Sequence, residues 1–224
     1  METIEDALAE LESTIVALNP NEIAEGDGGW RERKSAQTRE MILEAAVQCL
    51  AKYGYAKTST QLVAATAQVS RGAMLHHYAT KADLVASVID FIDLQRLRAF
   101  YHQVKSLTDE ERMVEGKALE VYWDIFKTPA SDAYLELNVA SRTDSALRKV
   151  FDRKAKRYDG ILQSILPSIF PEWKETAPED LRLARDVILV LLSGLSLNNR
   201  VLSTRERRVA LRKFVFKAVQ ELRD

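Results

Sequence analysis

Residues 54–84 read GYAKTSTQLVAATAQVSRGAMLHHYATKADL, and this stretch decides the fold. Ser59 is a good N-cap for a helix over 60–67, because its hydroxyl can accept from an otherwise orphaned amide of the first turn. Ser70 opens a second helix reaching about residue 78. Only Gln68 and Val69 separate the two, a connection as short as that of a helix-turn-helix. Upstream, Met41/Ile42, Ala45/Ala46, Cys49/Leu50 and Tyr53 recur at helical steps, which predicts a helix over 36–53 capped by Ser35 and closed by Gly54. Cys49 on that stripe reads as a small buried apolar residue. Downstream, Thr80 and Asp83 form a capping-box variant. The helix they open carries Leu84, Val85, Val88, Ile89 and Ile92 on one side and can continue to about residue 106.

In a helix-turn-helix the second helix offers base edges the side chains of its first turn. Ser70, Arg71, Gly72 and Ala73 occupy that turn. Arg71 can make a bidentate contact to guanine, and the small Gly72 and Ala73 let the backbone come close. Thr58, Thr60, Tyr78 and Lys81 suit phosphate contacts, with His76 and His77 beside them. Tyr78, like Val63, also fits the core of a small three-helix bundle. Adjacent histidines on a helix point about 100° apart, and neither has a Cys, His or carboxylate three or four residues on, so a metal is not expected.

The glycine, the Thr58-Ser59-Thr60 cluster, the Val63-Ala64 step, Val69-Ser70-Arg71-Gly72, the His76-His77-Tyr78 cluster and Lys81 together resemble the DNA-binding domain of the TetR family. The resemblance covers about residues 36–92. It implies an all-helical protein: a three-helix DNA-binding domain followed by a divergent helical lobe that dimerises through its last helices. It also implies repression of a palindromic operator that a small molecule relieves. Two positions depart from the family's pattern. Leu75 stands where tyrosine is common, which removes one aromatic phosphate contact and leaves His76 to take part of that role. Gln68 stands where a turn glycine is usual, and a positive φ there would cost about 1 kcal/mol.

The charge pattern agrees with a polyanionic partner. The formal net charge is −1, yet residues 1–30 hold eight acidic and no basic side chains, while residues 31–81 hold eight basic and three acidic ones. Ile4, Leu8, Leu11, Ile15 and Leu18 form one helical stripe in the acidic segment, and Gly26-Asp27-Gly28-Gly29 reads as a linker. The expected division is an acidic extension over 1–30, a DNA-binding domain over 31–80 and a ligand-binding and dimerisation domain over 81–224. No apolar run reaches the roughly 18 residues of a membrane span, and the acidic start does not resemble an export signal, so a cytoplasmic location is expected.

Helical patterns recur over about 109–126, 131–142, a segment after Thr143-Asp144 closed by Pro167 and Pro171, 179–199 and 205–222. In the last two the apolar sectors are wider than one packed face requires. That predicts a homodimer with two helices from each subunit at its interface. Trp123, Phe126 and Tyr134, with Asn138 and Arg142 as polar anchors, fit either plain core or the wall of a small-molecule pocket. No nucleophile–base pair, phosphate loop or metal spacing is present, so neither an enzyme nor a cofactor is expected.

Overall fold

The computed structural model describes residues 3–19, 29–114, 116–170, 173–198, 201 and 204–221, with the backbone alone at Arg208 and Arg212. The elements are α1 (Ile4–Leu18), α2 (Trp30–Lys57), α3 (Thr60–Thr66), α4 (Arg71–His77), α5 (Lys81–Lys105), α6 (Asp109–Arg112), α7 (Lys117–Ile125), α8 (Pro129–Ser141), α9 (Ser145–Ile169), α10 (Pro178–Leu197) and α11 (Arg205–Gln220). Among the described residues there is no strand, and no helix is long and apolar enough to cross a membrane. The glycines at 26 and 28 and Pro171 lie outside the described residues.

Two compact units divide the chain. One comprises Glu12–Arg98 and Pro129–Tyr158, the other Met1–Leu11, Ala99–Thr128 and Asp159–Asp224. The first holds the helix-turn-helix, and its core extends well past residue 80. Ile42, Leu43, Ala46, Leu50, Val63, Met74 and Tyr78 belong to the same buried cluster as Leu84, Ile89, Ala133, Tyr134, Leu137 and Phe151. α2 packs along α8, so α2 to α4 share one apolar core with α8 and the start of α9. In the second unit Phe100 meets Tyr122 and Phe170, with ring centroids 6.1 and 6.5 Å apart. The Arg112 side chain is buried there, donating to the Val104 carbonyl at 2.8 Å and to Asp109 at 2.9 Å.

Several helix ends differ from the sequence reading. α2 begins at Trp30, not near residue 36, because Gly29 takes the cap position and its amide donates to Glu32 Oε2 at 2.9 Å. It bends at Gly54 (φ 80°, ψ 167°) and makes one further turn to Lys57. The single helix expected over 109–126 is two, α6 and α7, parted at Gly116 (φ 79°). The Phe216 ring lies 1.8 Å from where a Cβ on Gly116 would stand, so only glycine fits there. α9 runs through Pro167 to Ile169. Pro167 has no amide to donate to the Gln163 carbonyl, and buried Ile165, Leu166, Ile169 and Phe170 hold this turn of α9 in place.

Candidate nucleic-acid interface

The turn between α3 and α4 is built by backbone hydrogen bonds. Val69 N donates to the Ala64 carbonyl at 3.0 Å and Gln68 N to the Ala65 carbonyl at 3.3 Å, the paired bonds of a Schellman motif. That motif needs its C′ residue left-handed, and Gln68 has φ 58°. Ser59 Oγ accepts from Leu62 N at 3.2 Å and Ser70 Oγ from Ala73 N at 3.1 Å, so both expected caps are in place. Thr80 Oγ1 donates to Asp83 Oδ2 at 2.7 Å and accepts from Asp83 N, which fixes the start of α5.

Burial then sorts the faces of α4. Met74 and the following Tyr78 point into the core, and Ala73 and His77 are half-buried. Arg71, Gly72, Leu75 and His76 face out. A Cβ added to Gly72 would meet nothing closer than Ser70 Oγ at 3.8 Å, so the folded chain has room for a side chain there. Thr60 is half-buried and Ser70 exposed. Thr58 and Tyr78, both in the expected contact set, are buried. Thr58 is 2% exposed and its hydroxyl donates to the Gly54 carbonyl at 2.8 Å, while Tyr78 is 5% exposed with its hydroxyl buried. Burial holds the His77 imidazolium unfavourable, with Arg39 and His76 adding repulsion, so its pKa is lowered.

Lys81 is drawn inward. Its Nζ donates to the Tyr55 carbonyl at 2.6 Å and lies 4.0 Å from the centre of the Tyr55 ring. Desolvation lowers its pKa, partly offset by Asp144. Tyr55 itself is tied to α8 and α9: its amide donates to Glu136 Oε1 at 2.7 Å and its hydroxyl to Asp144 Oδ2 at 3.0 Å. Asp144 also caps α9 by accepting from Ala146 N and Leu147 N, and these bonds lower its pKa. Tyr55 and Glu136 escaped the sequence reading because their partners lie 81 and 89 residues apart in the chain, beyond any local pattern.

The residues expected to line an effector pocket do not gather in one unit. Tyr134 packs in the core of the first, its ring centroid 4.9 Å from that of Phe151. Trp123, half-buried, and Phe126, buried, belong to the second unit. Asn138 and Arg142 are exposed rather than aimed into a core. The sequence reading missed Asp93 and Arg96. The Arg96 guanidinium lies 4.4 and 4.3 Å from the ring centres of Tyr134 and Tyr158. Asp93 is buried beside it, 3.9 Å from Arg96 Nη1 and 4.0 Å from Arg157 Nη2, too far for hydrogen bonds. Among the described residues no three of His, Cys, Asp and Glu gather to hold a metal ion.

A Schellman turn joining two short capped helices, the second of which presents Arg71, Gly72, Leu75 and His76 outward, is the geometry of a helix-turn-helix DNA-binding domain. Residues 42–88 match the family model of the bacterial regulatory proteins, tetR family. The chain is 26% identical over 162 residues to an uncharacterized HTH-type transcriptional regulator of Mycobacterium tuberculosis, covering 70% of this chain and 82% of that one. Among solved structures, GusR of Salmonella enterica superposes with a TM-score of 0.64 at 18% identity, covering 84% of this chain and 95% of that one. The multidrug binding protein EbrR complexed with imidazole gives 0.60 at 20%, covering 82% and 93%. Residues 42–88 thus carry the segment that the tetR-family model describes, and the chain is similar to HTH-type transcriptional regulators.

Proposed function

We propose that the protein is a ligand-released repressor that binds a pseudo-palindromic operator as a homodimer, with one α4 in each of two major grooves. The observation that carries this reading is the outward face of α4. It presents an exposed Arg71, a side chain suited to a bidentate contact with guanine, beside a Gly72 that the fold itself does not require. Thr60, Ser70, Ala73, His76 and His77 lie near that face and stay in the proposed contact set. Catalysis forms no part of this reading.

Dimerisation through α10 and α11 is supported by their unpartnered apolar side chains. Leu183, Val190 and Leu197 are exposed on α10 at seven-residue intervals, with half-buried Val187 and Gly194 between them. That is the spacing of a helix–helix seam. Phe214 on α11 is 67% exposed. Each buried leucine-sized side chain contributes about 1.5–3 kcal/mol.

Release by a small molecule is supported by the family and by EbrR, whose solved complexes hold imidazole and proflavin. Trp123 and Phe126 remain the candidate wall. An effector that prefers the released conformation by about 1–3 kcal/mol suffices.

The test is selection of bound duplexes from a random pool, with sedimentation of the free protein. A two-fold-symmetric site with half-site centres about one helical turn apart, and a dimer that Val190→Asp dissociates, are expected. A stable monomer, or no preferred sequence, counts against the reading.

A further inference from the structure

Leu75 is the one outward residue of α4 that a DNA surface does not obviously call for. It is 47% exposed, whereas Met74 and Tyr78 already fill the inward side of the helix. A lone exposed leucine elsewhere on a protein needs no explanation. This one lies one turn beyond Arg71 and next to His76, both exposed, on the face the repressor reading sets against the bases. An isobutyl group there cannot pair with phosphate oxygens or with the polar edges of bases. It would strip water from them and return nothing. The apolar group that a major groove offers is the C5-methyl of thymine.

We infer that Leu75 reads a thymine in each half-site through that methyl group. The inference rests on the DNA-binding reading above and deepens it. Residues four apart on a helix have Cβ atoms about 6 Å apart, and base pairs rise about 3.4 Å. The thymine therefore lies about two base pairs from the pair that Arg71 contacts, on either strand. The same leucine, standing where relatives commonly carry tyrosine, exchanges a phosphate contact that fits any sequence for a base contact that does not.

The experiment uses the full-length protein and its selected operator. Each thymine is replaced in turn by deoxyuridine, which deletes the methyl and leaves every hydrogen-bonding edge intact. One thymine per half-site should respond, with affinity falling about fourfold for the loss of one buried methyl-sized group. Leu75→Ala should bind the thymine and deoxyuridine operators equally well. A cytosine placed at that position in the unmodified protein's operator should weaken binding, and 5-methylcytosine should restore part of it. An operator in which no thymine responds, or a response that persists in Leu75→Ala, overturns the inference and leaves the repressor reading standing. A pool that yields no preferred sequence overturns both.

Discussion

The backbone amide of Tyr55, at the end of the first helix of the DNA-reading bundle, donates to the side chain of Glu136 on α8 at 2.7 Å. The bond exists because Gly54 turns the chain at φ 80° and ψ 167°, a region open in practice to glycine alone. Glu136 Oε1 then comes within 2.9 Å of where a Cβ on Gly54 would stand. With the hydroxyl of Tyr55 on Asp144, this corner fastens α2 to both α8 and α9.

Gly54→Ala should therefore destabilise the protein by about 1–3 kcal/mol, the cost of a strained backbone. Glu136 meets the new methyl with the flexible end of its side chain, so Glu136→Ala in the same chain should recover little of the loss. Urea unfolding of the single and double variants checks both statements.

Lys81→Met should lower stability by about 1–2 kcal/mol, through loss of a charge-assisted hydrogen bond and a cation–π contact to Tyr55. The salt dependence of DNA binding should stay as it was. A slope reduced by about one, with unfolding unchanged, would instead make Lys81 the phosphate contact its sequence position suggests.

Asp93 makes stability depend on pH. Burial pushes its carboxyl up to about 7, against the opposing pull of Arg96, Arg157 and Lys154 and with Asp90 adding to the rise. Between the ordinary carboxylate pKa and about 7 the folded state holds a proton that the unfolded chain has released. Stability from this group is then fully present at low pH and falls as pH rises through that window, by at most ~1.4 kcal/mol per unit. Asp93→Asn should flatten the stability profile between about pH 4 and 7; an unaltered slope would contradict the assignment.

Gly72→Ala separates folding from binding. Alanine has the better helix propensity and room for its methyl, so thermal unfolding should rise, by up to about 1 kcal/mol in stability. DNA affinity should fall, because the methyl stands on the face set against the bases. A variant both more stable and equally tight would show that α4 does not approach DNA at Gly72.

The helix-turn-helix was legible because its determinants are local. Ser59, Ser70 and Thr80 cap the residues that follow them, and Gln68 sits two residues from the helix it ends. The breaks at Gly116 and the passage of α9 through Pro167 were not legible, since each depends on side chains packed from distant segments: Phe216 in one case, Phe170 and its neighbours in the other. The burial of candidate contact residues was not legible for the same reason. Thr58, Tyr78 and Lys81 are of the types that bind phosphate, and only the packing around Gly54 and Tyr55 and the bundle core shows that their polar atoms are buried or engaged within the chain.

Base reading by α4 through Arg71 would show in the ratio of specific to non-specific affinity. The wild type and Arg71→Ala would be titrated against the selected operator and a scrambled duplex at several salt concentrations. Arg71→Ala should lose about 1–3 kcal/mol on the operator for each base pair it reads and little on the scrambled duplex, so the ratio collapses. Equal losses on both duplexes, with the ratio preserved, would reduce Arg71 to a phosphate contact and contradict the account.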